Sequence, residues 1–287
     1  MNKKYIKGYL FVFIAAVLWS LSGVLIKTVH ASAIWISLIR SVVASFLLFP
    51  FFLRKKVEPV KYLIITGVLY FIFISVFTIT TKIGSSAMAV AMQYSAPIYL
   101  MAYEAIKDKK IQPRKIPVFI LFLIGIILCV LDGLNAASPL SILTGIIVGI
   151  SFLLYSINLK NIKKGSALGI VGGVNLVSVI FFLSALPFDL NPMPKGISDI
   201  MPIVFAGIFI SAVSYAVYGE GLKKIPVESA LIIAMAEPLL NPVWVYWATE
   251  YIPPLFTILG LLFILIGVCV SIYLPGDKTI EKEEEII

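Results

Sequence analysis

Apolar runs about twenty residues long recur from Gly8 to Leu274, separated by short clusters of Lys, Arg, Asp, Gly and Pro. A helix of ~20 residues bridges a hydrocarbon core of ~30 Å, so each run predicts a membrane-crossing helix. The pattern places spans at 8–29, 34–53, 61–81, 87–106, 116–131, 139–159, 166–186, 200–221, 227–248 and 254–274. The fifth is short and meets Pro117 early. Without it the count would be nine, and the two termini would lie on opposite sides.

Composition agrees with the pattern. The 287 residues are 60% hydrophobic and 13% charged, with mean hydropathy +1.04, whereas soluble domains carry about 25% charged residues. The net charge of +8 matters through its placement. All of the lysines and arginines except Lys27, Lys82, Lys195 and Arg40 fall at one alternating set of connections or at the termini. That asymmetry is the positive-inside rule. It predicts a multi-pass protein of the cell (inner) membrane with both termini cytoplasmic, and it favours ten spans over nine. It also accounts for the basic balance without a nucleic-acid partner. The first apolar run is too long for the ~7–15 residues of a signal-peptide core, although Ala31-Ser32-Ala33 resembles a cleavage site. Cys129 and Cys269 lie within spans and read as packing residues, with no metal-ligand spacing.

The chain also repeats itself. Lys82-Ile83 is matched by Lys224-Ile225, Pro97 by Pro238, and Leu123-Ile124-Gly125 by Leu265-Ile266-Gly267, at offsets of 142, 141 and 142. Gly8 followed by Trp19-Ser20 is matched, at a shorter offset, by Gly145 followed by Tyr155-Ser156. Five spans per repeat is an odd number, so the second repeat enters the bilayer inverted. The expected fold is all-α integral membrane, with ten transmembrane helices as two inverted five-helix repeats over 1–133 and 134–275. A charged cytoplasmic tail at 276–287 completes the chain. Inverted repeats place a solute site near the midplane between the halves, exposed to each side in turn.

The motifs that carry a family resemblance are Ala16-Val17-Leu18-Trp19-Ser20-Leu21-Ser22-Gly23 with Lys27, then Arg40, then Ile83-Gly84-Ser85-Ser86-Ala87 leading to Gln93-Tyr94-Ser95-Ala96-Pro97. In the second half they are Tyr218-Gly219-Glu220-Gly221-Leu222-Lys223-Lys224-Ile225-Pro226, Glu237-Pro238 and Glu250. The chain resembles the EamA-type family of the drug/metabolite transporter superfamily over nearly its whole length. It departs where that family usually ends helix 4 with glycine-glutamate, having Lys107-Asp108 instead. The resemblance implies secondary, alternating-access export of small metabolites, often amino acids, and leaves the cargo open.

Candidate site residues follow from cost and from helical spacing. A charge at the bilayer centre costs ~2.5–3.5 kcal/mol on insertion scales, so Arg40 and Glu237 each need a partner or a task. Arg40 suits a carboxylate; Glu237 suits an ammonium or a coupling proton. The plainer alternatives are carbonyl capping by Arg40 and hydrogen bonding by Glu237 that braces a bent helix. Pro97 and Pro238, within helices 4 and 9, predict bends that free carbonyls one turn earlier, serving either as a hinge or cavity wall or as a static kink that improves packing. Tyr94, Pro97 and Met101 are expected on one face of helix 4, and Glu237, Asn241 and Trp244 on one face of helix 9. Ser211, Tyr215 and Tyr218 share a face of helix 8, and Trp19, Ser22 and Gly23 a face of helix 1. Tyr155, the repeat mate of Trp19, joins them, with Gln93 and Asn158 adding polar contacts. Such faces suit a small amphipathic solute, although lipid-facing or packing roles fit any single aromatic as well. Trp247, Tyr251 and Tyr273 read as interfacial anchors, His30 as a loop residue, Gly145 and Gly149 as a close-packing pair, and Asp132-Gly133 as a helix end.

Other classes are less well supplied. No G-x-x-x-x-G-K-[ST] loop is present, and one histidine leaves little for lipid chemistry. The expectation is a non-enzymatic carrier without cofactor or metal, monomeric or homodimeric, with a coupling proton. Carriage of nucleobases, nucleotide-sugars or cationic drugs on the same scaffold stays open, as does a membrane-embedded lipid enzyme.

Overall fold

The computed structural model describes residues 3–84, 86–108, 113, 116–134, 139–189, 192–250, 252 and 254–273. Tyr251 and the charged tail lie outside them. The described residues are almost wholly helical: α1 Lys3–Trp19, α2 Ser22–Thr28, α3 Ala33–Arg54, α4 Val60–Ile83, α5 Ser86–Gln93, α6 Ala96–Asp108, α7 Ile116–Leu134, α8 Pro139–Lys160, α9 Ala167–Ala185, α10 Gly196–Phe205, a π-helical stretch Ala206–Ser214, α11 Tyr215–Leu222, α12 Val227–Ala234, α13 Ala236–Thr249 and α14 Leu255–Tyr273. Six of the resulting rods are long and apolar enough to cross a membrane, and shorter apolar stretches lie at Ile116–Leu131 and Leu255–Gly267.

Helix is the form a chain takes where no water can serve backbone groups. Hydroxyls follow the same rule. In α4, Thr66, Ser75, Thr78, Thr80 and Thr81 each bond a carbonyl one turn back in their own helix. Ser32 and Ser166 cap α3 and α9, accepting from Trp35 and Gly169. Large apolar side chains such as Phe46, Ile106 and Trp247 stay exposed on the outer surface, where lipid rather than water would meet them.

Helix contacts obey a two-fold rule. Numbering the rods by half, the second rod of one half packs on the second of the other (α3 on α9), and the fifth on the fifth (α7 on α14). The third rod of the first half packs on the first of the second (α4 on α8), and the converse pair, α1 with the π-stretch and α11, packs too. Swapping the halves leaves this list unchanged, as two inverted five-helix repeats require. Missing side chains permit the close crossings: a Cβ on Gly67 would lie 2.5 Å from Val177, and one on Gly207 2.7 Å from Val43.

Three features differ from the sequence expectation. The helices that hold Pro97 and Pro238 are interrupted just before each proline, at Tyr94-Ser95 and at Met235 alone. Pro97 is the second residue of α6 and Pro238 the third of α13, where an N–H has no helical partner anyway. The carbonyls each proline leaves unserved belong to Gln93 and Ala234, the last residues of α5 and α12. Helix 1 also breaks, at Ser20-Leu21. Helix 8 begins earlier than expected, and its π-stretch of nine residues shifts the phase that a 3.6-residue period assumes.

The connections sort to two ends. Glu58 meets Lys164, and Gly8 meets Lys224 and Ile225, at the lysine-rich end. His30, Ser32, Asp189, Pro192 and Asp199 meet at the far end.

Candidate functional site

All three helix breaks border a buried cluster of aromatic side chains between the repeats, termed the chamber. Its walls are aromatic. Trp19, the last residue of α1, has ring centroids 4.9 Å from both Tyr215 and Tyr218 and 5.9 Å from Phe152. Tyr70 lies 5.0 Å from Tyr215 and 5.7 Å from Tyr155, while Phe73 lies 5.1 Å from Phe152. Tyr94, in the break between α5 and α6, closes the ring at 6.4 Å from Phe152. None of these side chains is more than 3% exposed, so the cluster is buried.

Two charged groups are enclosed with the rings. Glu237, 1% exposed, is the second residue of α13, where the helix dipole favours a negative group. Its Oε2 accepts from the Tyr94 hydroxyl at 2.5 Å and from Gln93 Nε2 at 3.1 Å. The break in one repeat thus supplies donors to the acid at the break in the other. Arg40, 2% exposed, donates from Nε to Ser211 Oγ at 3.2 Å, and its Nη1 has no partner. Among the described residues no carboxylate stands within 4.0 Å of it. Arg40 and Glu237 are therefore not an ion pair. Trp19 Nε1, Tyr70 OH and Tyr155 OH are likewise buried without partners.

Both ends are tied across the repeats. At the lysine-rich end, Glu58 N donates to Lys164 O at 3.3 Å, and Lys163 N and Lys164 N donate to Glu58 O at 3.1 and 3.0 Å. The Glu58 carboxylate holds Lys164 Nζ at 2.7 Å and Lys56 Nζ at 2.9 Å. Hydrogen bonds from Lys164 and then Lys56, aided by their charges, pull the Glu58 carboxyl down to about 2. At the far end Asp199 accepts from His30 N at 2.9 Å and Lys195 N at 2.8 Å, Ser32 N donates to Pro192 O at 3.1 Å, and Ser32 bonds Asp189. Each tie joins the connection between the second and third rods of one repeat to that between the first and second rods of the other. An open, largely apolar groove between α13 and α14 is lined by Leu239, Val243, Tyr246 and Leu262 among others.

The model of the EamA-like transporter family matches residues 6–131 and again 136–273. The chain belongs to the EamA-like transporter family. That family lies within the drug/metabolite transporter superfamily, and the protein is a membrane transporter. An uncharacterized transporter of Archaeoglobus fulgidus is 23% identical over 260 residues, covering 91% of this chain and 94% of that one. One of Clostridium kluyveri is 25% identical over 293 residues, covering 91% of each. A solved crystal structure shares the fold at TM-score 0.70 and 16% identity, covering 92% of this chain and 96% of that one.

In this EamA-type chain the expected residues separate into groups. Trp19, Arg40, Gln93, Tyr94, Tyr155, Tyr215, Tyr218 and Glu237 come together in the chamber. Asn241 and Trp244 share a face of α13 with Glu237 as expected, but they bond the broken turn of helix 1: Asn241 Nδ2 donates to Ser20 O at 3.1 Å and Trp244 Nε1 to Ser20 Oγ at 2.7 Å. Ser22 is buried as the first residue of α2, and Pro97 is buried beside the Tyr94 break. Asn158 does not join them; its amide donates to Leu154 O on an exposed flank of α8. Met101 lies in α6, beyond the interruption that holds Tyr94. His30 is the exposed loop residue expected, its side chain 92% exposed. Cys129 is buried as a packing residue, but Cys269 is exposed.

Tyr70, Phe73, Phe152 and Ser156 are chamber residues that sequence reasoning missed. Ser156 Oγ lies 2.8 Å from Tyr218 OH. A signal existed, because Tyr70 and Phe73 in α4 have the same three-residue spacing as Tyr215 and Tyr218 in α11.

Proposed function

We propose that this transporter is a secondary exporter of small amphipathic metabolites, amino acids foremost, working by alternating access. The observation that carries the reading is the chamber itself: a basic and an acidic side chain, both buried, unpaired with each other and set among aromatic rings at the seam of the repeats. A zwitterion offers each charge a partner while its side chain lies against the rings. Ties at both ends support alternating access, since a carrier must release one end at a time to expose a central site. The lysine-rich end is assigned to the cytoplasm of the inner membrane by the charge rule, and a proton is the natural coupling ion for a membrane-embedded carboxyl group.

Counterflow of labelled amino acids in proteoliposomes tests this. Saturable exchange is expected for at least one amphipathic amino acid, with flux lost in Arg40→Ala and Glu237→Gln although both purify folded. No saturable exchange for any solute in the panel, or wild-type rates in both variants, would remove the reading. Cationic-drug carriage is the second reading, favoured by Glu237, and it predicts exchange of organic cations instead.

A further inference from the structure

We propose that Arg40, Tyr70 and Tyr155 form a subsite for a carboxylate, and that this anionic group, rather than a cationic one, is the handle the transporter requires of its cargo. The inference rests on the chamber being the cargo site.

The two charges in the chamber are unequally served. Glu237 already receives two hydrogen bonds, from Tyr94 and Gln93, at a helix N-terminus. Arg40 has a single neutral acceptor in Ser211. A guanidinium presents five N–H donors in a planar fork suited to a carboxylate, and a buried charge left without a counter-charge is costly. Other buried donors without a partner belong to neighbouring rings. Tyr70 packs 5.0 Å from Tyr215, four residues along from the Ser211 that accepts from Arg40, and its hydroxyl has no partner within the protein. Tyr155 packs 5.7 Å from Tyr70 and its hydroxyl is also unpartnered. Trp19 Nε1 adds a further orphan donor across Tyr215. The other buried orphans, Ser41 Oγ and Asn175 Oδ1, belong to α3 and α9.

Native proteins leave few buried polar groups unbonded, and those few call for an explanation. Here one ligand group explains several at once. A carboxylate has two oxygens and about four acceptor positions, enough for Arg40 Nη1 and the two phenols together. An ammonium offers donors only and leaves Arg40 worse off than before.

Charge balance narrows the cargo further. With Arg40 and Glu237 both ionised the chamber is neutral. A bare carboxylate would leave one net negative charge in a low-dielectric space. A zwitterion would not, and neither would a carboxylate that arrives with one proton to neutralise Glu237. The shared requirement is the carboxylate.

The test uses matched triplets with aromatic, branched aliphatic and short side chains. Each triplet holds an amino acid, its decarboxylated amine and its deaminated acid, titrated against the full-length protein in detergent by thermal shift and calorimetry. In at least one triplet the amino acid or the acid is expected to bind and the amine to bind at least about tenfold more weakly, the size of a charge-assisted hydrogen bond. Proton uptake on binding of the acid but not of the amino acid separates the two forms of cargo. Tyr70→Phe and Tyr155→Phe supply the discriminating readout. Each removes a buried hydroxyl that has no partner within the protein, so the melting temperature without cargo should stay the same or rise while carboxylate affinity falls. Arg40→Lys, which keeps the charge and loses the fork, should weaken binding as well. An amine that binds as tightly as its acid, no binding in any triplet, or phenylalanine variants with unchanged affinity would overturn the subsite. Should counterflow of organic cations proceed with unchanged affinity in those variants, the carrier would stand and the carboxylate subsite alone would fall.

Discussion

Glu237 and Arg40 were visible as candidates because a charge inside an apolar run is conspicuous and costly. Tyr94, Gln93, Tyr215 and Tyr218 were visible through helical spacing. Tyr70 was not, because a tyrosine inside α4 looks like any other apolar-helix aromatic until the opposing repeat places Tyr155 and Tyr215 against it. Asn158 misled for the reverse reason: an amide in a span looks scarce and therefore useful, yet a carbonyl of its own helix one turn back satisfies it. At this scale the clearest prediction concerns Tyr94, one of the two donors to the buried Glu237 carboxyl. Tyr94→Phe deletes that donor with little change in volume and should destabilise the protein by about 1.5–3 kcal/mol, the range for bonds to charged groups. An unchanged melting temperature in detergent would show that the bond is not made.

Element positions were largely readable, since hydropathy alone places the rods, but the breaks were not. The sequence announces Pro97 and Pro238, and a proline inside a helix is expected to kink it. Whether a kink becomes a full break depends on what can serve the freed groups, which is a tertiary matter. Here Gln93, last in α5, turns its amide to Glu237, and α13 restarts with that acid in its first turn. The broken turn of helix 1 is held in the same way by Asn241 and Trp244. Pro97→Ala and Pro238→Ala each restore an N–H that can close the gap. If the breaks position the acid and its donors, both variants should remain folded and lose flux, with slower amide hydrogen exchange at residues 93–97 or 234–238. Full flux together with slowed exchange would show that the breaks are dispensable.

For the whole molecule, odd-numbered repeats and the lysine distribution foretold inversion, and the two-fold pattern of helix contacts agrees with it. The ties between connections could not be foretold, because Glu58 and Lys164 are ordinary loop residues until the folded halves bring them within 2.7 Å. Their consequence is a pH dependence confined to one window. The folded Glu58 carboxyl, at about 2, lies below its ordinary 4.5. Its contribution to the closed end is therefore complete above about 4.5 and is lost as pH falls from there through about 2. The lysine partners are largely exposed, at 82% and 71%, so solvent screens the pair and the backbone bonds share the task of closure. Glu58→Gln should accordingly raise entry of a thiol reagent to a cysteine placed in the chamber at Ser156 by only a few-fold at neutral pH, and only from the lysine-rich side. Acidification of the wild type across that window should reproduce the increase, and the Gln variant should no longer respond to it. A wild-type response centred near neutrality, or increased entry from the far side, would show that Glu58 does not help close this end.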